Sequence, residues 1–303
     1  MKKIFPIFVI ALLSFCVFAE EKPADTIYFY PGKHPLPQAM VDLFDRPNEA
    51  AFDMQGNLFV ADEGGNRLLR LDSLLNITNR TSGWGVERDL MQEPADIAAG
   101  SGLNVYAADF LGGRLIRFDS YMNFIADIKL SELGEDYRYP LSVAVSDWGE
   151  VFILDEASGS ILKIDASGQL GLAAGFRPIE MNLAQSGKMA LDNSGTLYIP
   201  IPPEKAVILY DRYGTPKGKK FLSIAPVAVS ADGDLVMIAG ENRIVCLMRD
   251  KKFIVQFLGG KCPEGILDLA LKNGRLALIT RMPPFIHLYR LSRSPAGIEW
   301  NGR

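Results

Sequence analysis

The chain has 303 residues, of which 48% are hydrophobic and 22% charged, a composition typical of an ordinary globular protein. Its formal net charge of −4 at pH 7 argues against a nucleic-acid-binding surface, which needs an excess of basic residues to displace counterions. After the N-terminal segment, no apolar run is long enough to predict a transmembrane helix.

The first 19 residues have the pattern of a cleaved secretory signal peptide. Two lysines precede the apolar stretch Ile4–Val17, and Ala19 supplies a small residue for cleavage ahead of two glutamates. Cys16 follows a Leu-Ser pair and offers a lipoprotein site as an alternative, but the bulky Phe15 fits lipid attachment poorly. We therefore predict export to the periplasm or cell surface, and the form of anchoring stays open.

A short apolar strand preceded by a glycine turn recurs six times along the rest of the chain. Its first copy is Leu58-Phe59-Val60-Ala61-Asp62, and the second residue of each copy serves as a reference position. The six reference residues, separated by steps of 47, 46, 46, 38 and 41, are Phe59, Tyr106, Phe152, Tyr198, Val236 and Ala277. Periods of about 40–50 residues in strand-rich sequence are typical of propellers and repeat arrays.

Each repeat can be divided into four short strands separated by turns. In the first repeat, strands over 47–53, 58–62 and 67–72 alternate with glycine-containing turns, and a weaker strand lies near 77–82. The near-continuous apolar second strands indicate burial on both faces, as stacked blades require. We predict an all-β, six-bladed β-propeller of four-stranded blades over residues 39–291.

A propeller ring must close without an open sheet edge. The last repeat ends after its third strand near Leu291, and a lone strand, Ala39–Phe44, precedes the first repeat. We predict that Ala39–Phe44 becomes the outermost strand of blade 6, so that an N-terminal strand closes the ring. Tyr28–Tyr30 either adds a further edge strand or wraps the outside. Residues 20–38 are then an N-terminal extension, and residues 292–303 a peripheral tail.

The repeats resemble those of a known family. The segment Val60–Asp72 resembles an NHL repeat, whose typical form is a YVAD…N.RI..FD run, and Ala108–Asp119 resembles it with glycine in place of the asparagine. The third repeat keeps its aspartates but has Ser160 where the arginine would fall. The resemblance covers about residues 40–291, strongly in three repeats and faintly in three. It implies the propeller fold and no particular activity, because unrelated functions share that fold.

The first strand of each propeller blade lines the central channel. Ten residues before the reference positions lie six residues that we expect at one height of the channel mouth, namely Glu49, Asp96, Ser142, Lys188, Pro226 and Leu267. Glu49 and Asp96 could hold a hard cation such as Ca²⁺. The segment around Glu49 is faintly similar to the first metal-ligand segment of gluconolactonase-like propellers, but Ser142 and Lys188 do not match that family's Asn and Asp. The alternative is a solvated ion network that fills the channel.

Catalysis by the known routes of this fold is not favoured. The propeller lyases that resemble this fold use several histidines, and this chain has only His34 and His287. No Gly-x-Ser-x-Gly nucleophile motif occurs. The aspartates Asp62, Asp109 and Asp155 recur at the same place in three repeats, so we expect them to accept backbone hydrogen bonds rather than to act in acid–base chemistry.

Aromatic residues beside turns offer a different kind of site. Trp84, Phe110 and Trp148 could anchor a protein or sugar partner, or could cover the gaps between blades. Cys246 and Cys262 either form a disulfide that closes a loop of about 16 residues or stay as two buried thiols.

These observations favour a non-enzymatic protein-binding or assembly module of the bacterial cell envelope, with no cofactor predicted. The alternative is a metal-dependent, lactonase-like hydrolase in which Glu49 and Asp96 would bind the metal, with Ca²⁺ as the candidate. The partner, ligand, pathway and oligomeric state stay open.

Overall fold

The computed structural model describes residues 26–31, 43–100, 102–166, 170–171, 186–248, 251–258, 260–281 and 285–293. The predicted signal peptide, His34 and residues 39–42 of the predicted closing strand lie outside them. Within these ranges the chain is almost entirely β-strand, with one α-helical turn, α1 (Leu130–Leu133), and a 3-10 turn at Pro202–Glu204. None of the helices within these described ranges is long and apolar enough to cross a membrane.

The first half of the structure contains an N-terminal strand and three four-stranded sheets, blades 1 to 3. After β1 (Thr26–Pro31), the strands run from the inside to the outside of each blade. A short parallel pair, β6 and β7, lies between blades 1 and 2. The strands are β2 (Pro47–Phe52), β3 (Leu58–Asp62), β4 (Arg67–Leu71) and β5 (Ile77–Arg80) in blade 1, β6 (Gly83–Trp84) and β7 (Leu90–Met91), β8 (Pro94–Ala99), β9 (Asn104–Asp109), β10 (Arg114–Asp119) and β11 (Phe124–Lys129) in blade 2, and β12 (Pro140–Val145), β13 (Val151–Asp155), β14 (Ser160–Ile164) and β15 (Leu170–Gly171) in blade 3.

The second half completes the ring with blades 4 to 6. The innermost strands of the six blades contact one another in a closed circle, which makes the molecule the predicted six-bladed propeller. The remaining strands are β16 (Ala190–Leu191), β17 (Leu197–Ile201), β18 (Ala206–Tyr210) and β19 (Pro216–Phe221) in blade 4, β20 (Ala228–Asp232), β21 (Leu235–Gly240), β22 (Arg243–Met248) and β23 (Lys251–Phe257) in blade 5, and β24 (Ile266–Lys272), β25 (Arg275–Thr280) and β26 (Phe285–Ser292) in blade 6.

The second strands are buried on both faces, as their continuous apolar sequence predicts. Every residue of β3, β13 and β17 is buried. Their side chains belong to apolar clusters that lie between neighbouring blades. Packing of blade against blade, rather than one central core, therefore carries most of the hydrophobic stabilisation.

An N-terminal strand closes the ring, as predicted, but the prediction that it is Ala39–Phe44 was wrong. Strand β1 pairs antiparallel with β26 as the fourth strand of blade 6, and it also pairs in parallel with β23 of blade 5. Leu43 and Phe44 lie outside any strand. The physical reason is that buried and partly exposed residues alternate along β1. Ile27 and Phe29 are fully buried, and the Phe29 ring packs edge-on against Phe257 with ring centres 4.8 Å apart.

The recurring aspartates tie each blade to the loop that leads into it. Asp62 Oδ1 accepts backbone hydrogen bonds from Asp45 at 2.9 Å and Arg46 at 2.8 Å. In blade 3, Asp155 accepts the equivalent pair, and also the N–H of Ser158 in the turn that follows. These carboxylates have the structural role that their repetition predicts, although the main acceptor contact is to the preceding loop rather than to the following turn.

Cys246 and Cys262, the two cysteines within the described ranges, are free thiols in this structure. Cys246 is fully buried between blades 5 and 6, and Cys262 packs against the same apolar cluster. Burial raises the pKa of Cys246 to about 12 and that of Cys262 to about 11. Of the two alternatives for this pair, the structure has the separate thiols and not the disulfide.

Candidate functional site

The disk has two faces with different loops, because the strands of each blade alternate in direction. All the inner strands begin at what we call the top face, which carries the connections between blades and the turns between second and third strands. They end at the bottom face, which carries the turns between first and second strands and between third and fourth strands.

Four of the residues expected at one height of the channel do lie at matching positions. Glu49, Asp96 and Ser142 each pair with a residue of the second strand of their own blade. In all three blades that residue lies two places after the reference position. Lys188 lies at the start of the inner segment of blade 4, bridged to Ala228 of blade 5.

The positions expected in blades 5 and 6 were wrong. The residues at the matching height are Val229 and Asp268, instead of Pro226 and Leu267. In both blades only two residues separate the first strand from the second, for example between Lys272 and Arg275. The turn in blade 1 is longer, so a fixed offset of ten residues misplaces the later strands.

The ammonium group of Lys188 lies among three carboxylates from three other blades. Its Nζ atom is 3.0 Å from Asp268 Oδ2, 3.6 Å from Glu49 Oε2 and 3.7 Å from Asp96 Oδ1. It also donates a hydrogen bond to the backbone carbonyl of Ala50 at 2.5 Å. Lys188 therefore occupies the position from which a bound cation would contact these carboxylates.

Further hydrogen bonds hold this cluster in place. Asp268 Oδ2 accepts the backbone N–H of Ala50 at 2.7 Å, which joins blade 6 to blade 1. Asp96 Oδ2 accepts the Ser142 hydroxyl at 2.6 Å, which joins blade 2 to blade 3, and Ser142 Oγ in turn accepts the N–H of Met189 at 3.1 Å. The four predicted residues and Asp268 thus form one interblade network.

Most of this network is buried. The Lys188 side chain is 8% exposed, and those of Asp96 and Asp268 are 1% and 0% exposed. Burial, followed by the charge of Asp268, raises the pKa of Glu49 well above its usual value, and burial raises the pKa of Asp96 to about 6. Burial also disfavours the Lys188 ammonium, but the surrounding carboxylates outweigh it and raise its pKa. The cluster therefore keeps its lysine charged and favours protonation of Glu49 and Asp96.

The space around the cluster is small. A cavity of about 120 Å³ runs from Lys188 along the inner strands to the turns of the bottom face. Typical ligand pockets have volumes of about 300–1,000 Å³. Among the described residues, no group of three or more His, Cys, Asp or Glu side chains has a metal-binding arrangement.

Three turns on the bottom face share one construction. An aspartate at the end of a third strand accepts, through one oxygen, the N–H groups of the residues two and four places later, at 2.8–2.9 Å. The residue two places later is large, apolar and exposed: Leu74 at 65%, Tyr121 at 66% and Tyr213 at 73%. The next residue has a positive φ in all three turns, and is glycine in only one. In each turn, the aspartate hydrogen bonds and the positive-φ residue thus fix a backbone conformation in which the apolar side chain is exposed to solvent.

Further exposed apolar residues lie in turns of the same face. Met54, Leu103 and Trp148 belong to the turns between first and second strands of blades 1, 2 and 3. The Arg212 guanidinium stacks on the Trp148 ring at 4.3 Å and lies 5.5 Å from the centre of the Tyr213 ring, while it contacts Glu150 at 2.7 Å. Six of the thirteen exposed large hydrophobic side chains of the described residues therefore lie in turns on the bottom face of blades 1 to 4, namely Met54, Leu74, Leu103, Tyr121, Trp148 and Tyr213.

The aromatic residues singled out in the sequence do not form one surface. Trp148 lies on the bottom face, whereas Trp84 is in the connection between blades 1 and 2, and Phe110 is in a second-to-third-strand turn of the top face. Trp84 is exposed, but Phe110 is half-buried and stacks on Tyr139 with ring centres 5.2 Å apart.

Sequence reasoning missed Met54, Leu74, Leu103 and Tyr213. A signal existed for two of them, because LDSLLN, FDSYMN and YDRYGT recur in register with an Asp two places before a large apolar residue. His287, the one histidine within the described ranges, lies in the third strand of blade 6, where burial lowers its pKa. It is therefore not on a channel-lining strand.

Neither a protein-family model nor a curated protein matches the chain. Among solved structures, a virginiamycin B lyase from Staphylococcus aureus with quinupristin is similar, with a TM-score of 0.57, 14% identity and 80% of each chain covered. A gluconolactonase from Xanthomonas campestris has a TM-score of 0.59 and 13% identity over 82% of this chain and 87% of its own. Hydrazine synthase from Kuenenia stuttgartiensis has a TM-score of 0.58 and 14% identity over 83% and 97%. At these identities the likeness shows the fold alone, a six-bladed β-propeller.

Proposed function

We propose that this chain is an NHL-type propeller exported to the bacterial cell envelope, where it binds another protein through the bottom face and performs no catalysis itself. The observation that carries the proposal is the set of three aspartate-capped turns presenting Leu74, Tyr121 and Tyr213. Exposed apolar side chains grouped on one face are characteristic of protein-interaction sites. Because the turns are already hydrogen-bonded, binding would cost little ordering entropy there.

The charges of the bottom face suggest the chemistry of the partner. Asp72, Asp119 and Asp211 lie beside the exposed apolar residues in the capped turns. Hydrogen bonds from Asn76 hold the pKa of Asp72 below its usual value, so this carboxylate stays ionised. A partner surface with apolar side chains and basic residues around them would match both features.

The channel supports a binding module more than a hydrolase. Its carboxylates already have an internal cation, Lys188, at 3.0–3.7 Å. A divalent ion would have to displace a charged side chain that is buried and hydrogen-bonded. The predicted signal peptide supports export, and the resemblance of Val60–Asp72 to an NHL repeat supports the family assignment.

The proposal is tested by capture from a solubilised envelope fraction. The wild-type chain is compared with a variant in which Leu74, Tyr121 and Tyr213 are all replaced by serine. The matched control replaces two exposed apolar residues of the top face, Val86→Ser and Leu111→Ser. We expect saturable capture of a partner by the wild type and the control, and its loss in the triple variant. Equal capture by all three proteins would contradict the proposal.

The second candidate is a metal-dependent, lactonase-like hydrolase, which the gluconolactonase fold likeness and the carboxylate cluster favour. Glu49 Oε2 and Asp268 Oδ1 are buried without a hydrogen-bond partner in the described part of the chain. These oxygens could face a cation if Lys188 moved. Metal analysis of the purified protein separates the two functions. A stoichiometric divalent ion that is lost in Glu49→Gln, together with lactone turnover, would favour the enzyme.

A further inference from the structure

The outer rim of blade 4 is strongly basic, although the chain as a whole is acidic. Residues 204–221 contain five basic and two acidic side chains, against a net charge of −4 for the whole sequence. These residues form the last hairpin of the blade, β18 and β19, with its flanking turns. The basic residues are Lys205, Arg212, Lys217, Lys219 and Lys220.

Strand β19 presents this charge on an open edge. Five of its six residues are exposed. It is the outermost strand of its sheet, and within the described residues it pairs only with β18. Lysines on an edge strand commonly prevent pairing with other chains. That role explains the lysines of β19, but it does not explain an exposed phenylalanine in the same strand.

Two aromatic side chains flank the basic strip. Phe221 ends β19 and is 76% exposed, and Tyr213 lies in the turn at the other end of the strand. They are the two most exposed large hydrophobic side chains in the described part of the molecule. A six-residue strand is about 20 Å long, so the rings lie at opposite ends of the lysine strip.

The local acids neutralise only part of the strip, in which Arg212 is already paired with Glu150 at 2.7 Å. Asp211 is occupied as the cap of its turn, where it accepts the N–H groups of Tyr213 and Thr215. Glu204 pairs with Lys219 at the surface. Surface ion pairs of this kind are weak, so Lys219 can exchange Glu204 for another anion. The rim therefore keeps a positive excess.

We propose that the rim of blade 4 is a docking surface for an anionic lipid bilayer. The lysines would contact lipid phosphates, while Phe221 and Tyr213 would enter the headgroup region, where aromatic rings with one apolar and one wet side are favoured. Basic clusters of this size attract anionic membranes. An acidic peptide added to the β19 edge would use the lysines but would leave the two rings at its ends without a partner, so the bilayer fits better.

This surface meets the proposed protein-binding face at Tyr213, which belongs to both, so a bilayer and a protein partner would compete for that ring. The two proposals can also fail separately: exchanging Lys219 and Lys220 leaves Leu74 and Tyr121 unchanged, so capture of a protein partner should persist in that variant.

Flotation with lipid vesicles tests the inference. The purified protein is mixed with vesicles of phosphatidylcholine, alone or with phosphatidylglycerol. We expect it to float only with the anionic vesicles and to be released by salt. The Lys219→Glu/Lys220→Glu variant should bind about tenfold or more weakly, and Phe221→Ser should also bind more weakly. The control Lys252→Glu/Lys261→Glu makes the same charge change at exposed positions outside blade 4 and should bind normally.

Three results would overturn the inference: equal flotation with both vesicle types, no flotation with either, or an equal loss in the two lysine variants. Polyglutamate provides the remaining comparison. If it binds the protein in a Lys219- and Lys220-dependent way while the vesicles do not, the rim recognises acidic polypeptide instead of lipid. Unchanged circular dichroism and melting temperature would show that each variant is folded.

Discussion

The Lys188 ammonium lies 3.0 Å from the Asp268 carboxylate, although the two residues belong to blades 4 and 6 and are separated by blade 5. The contact crosses the centre of the ring, and Glu49 and Asp96 approach the same nitrogen from blades 1 and 2. One buried cation therefore links the inner strands of four blades. We therefore expect the ion cluster at the centre of this propeller to stabilise the fold.

Replacing Lys188 with methionine should destabilise the fold. The change leaves buried carboxylates without their counter-charge, and breaking a buried ion pair in this way typically costs about 3–5 kcal/mol. Urea unfolding should show a lower midpoint for Lys188→Met. The control Lys252→Met, at an exposed site, should change the free energy of unfolding by less than about 0.5 kcal/mol. An unchanged midpoint for Lys188→Met would contradict a structural role for the cluster.

The channel acids should make stability fall as the pH rises. Asp96 has a pKa of about 6 in the folded chain, against about 3.9 when unfolded. Between these two pH values the folded state binds more protons than the unfolded state. The stability that Asp96 contributes is therefore fully present below about pH 4 and is lost as the pH rises through about 6. The slope from this group reaches at most about 1.4 kcal/mol per pH unit.

The pH effect is measured as a difference between two proteins, because carboxylates with lowered pKa values, such as Asp72, act in the opposite direction. Unfolding of the wild type and of Asp96→Asn is followed from pH 4 to pH 7. We expect the stability advantage of the wild type over the variant to shrink across this range. A constant or growing advantage would mean that Asp96 does not take up a proton in the folded state.

The closing strand should be essential to stability. Phe29 is fully buried and contacts Phe257 and Tyr289, so Phe29→Ala should cost about 3–5 kcal/mol. Tyr28, which lies on the other face of β1 and is only half-buried, provides the control and should cost less when changed to alanine. Thermal unfolding of both variants gives the comparison. If the two substitutions were equally mild, β1 would not close the ring.

The cysteines should react only after unfolding. Because burial raises the pKa of both thiols to about 11 or 12, almost no thiolate exists at pH 8. A colorimetric thiol reagent should therefore react slowly with native protein prepared without residues 1–19 and should count two thiols in denaturant without reductant. A count of zero in denaturant would establish a disulfide between Cys246 and Cys262.

The sequence predicts the repeats well and their registers less well. Blade number, buried second strands and the positions of Glu49, Asp96, Ser142 and Lys188 follow from periodicity, because the first four repeats have turns of similar length. Asp268 was missed because the shorter turn in blade 6 moves the register by one residue. No single-sequence rule gives turn length at that precision.

The sequence did not predict the closing strand or the exposed residues of the bottom face, for other reasons. Ile27 and Phe29 alternate with tyrosines as a strand should, but the choice between this segment and Ala39–Phe44 depends on contacts with β23 and β26 that lie far away in sequence. From the sequence alone, Leu74 and Tyr213 would be expected in the core, because they are large and apolar. Only the turn geometry, with the aspartate cap and the positive φ that follows, turns them toward solvent.

The most direct test of the central claim is the affinity of the captured partner, measured by calorimetry, for the wild type and for single serine variants of Leu74, Tyr121 and Tyr213. Hot-spot residues typically cost about 2 kcal/mol or more when truncated. We therefore expect at least one of the three variants to weaken binding about thirtyfold, and Leu111→Ser to leave the affinity unchanged. Affinities that stay equal across all three variants would contradict binding through the bottom face.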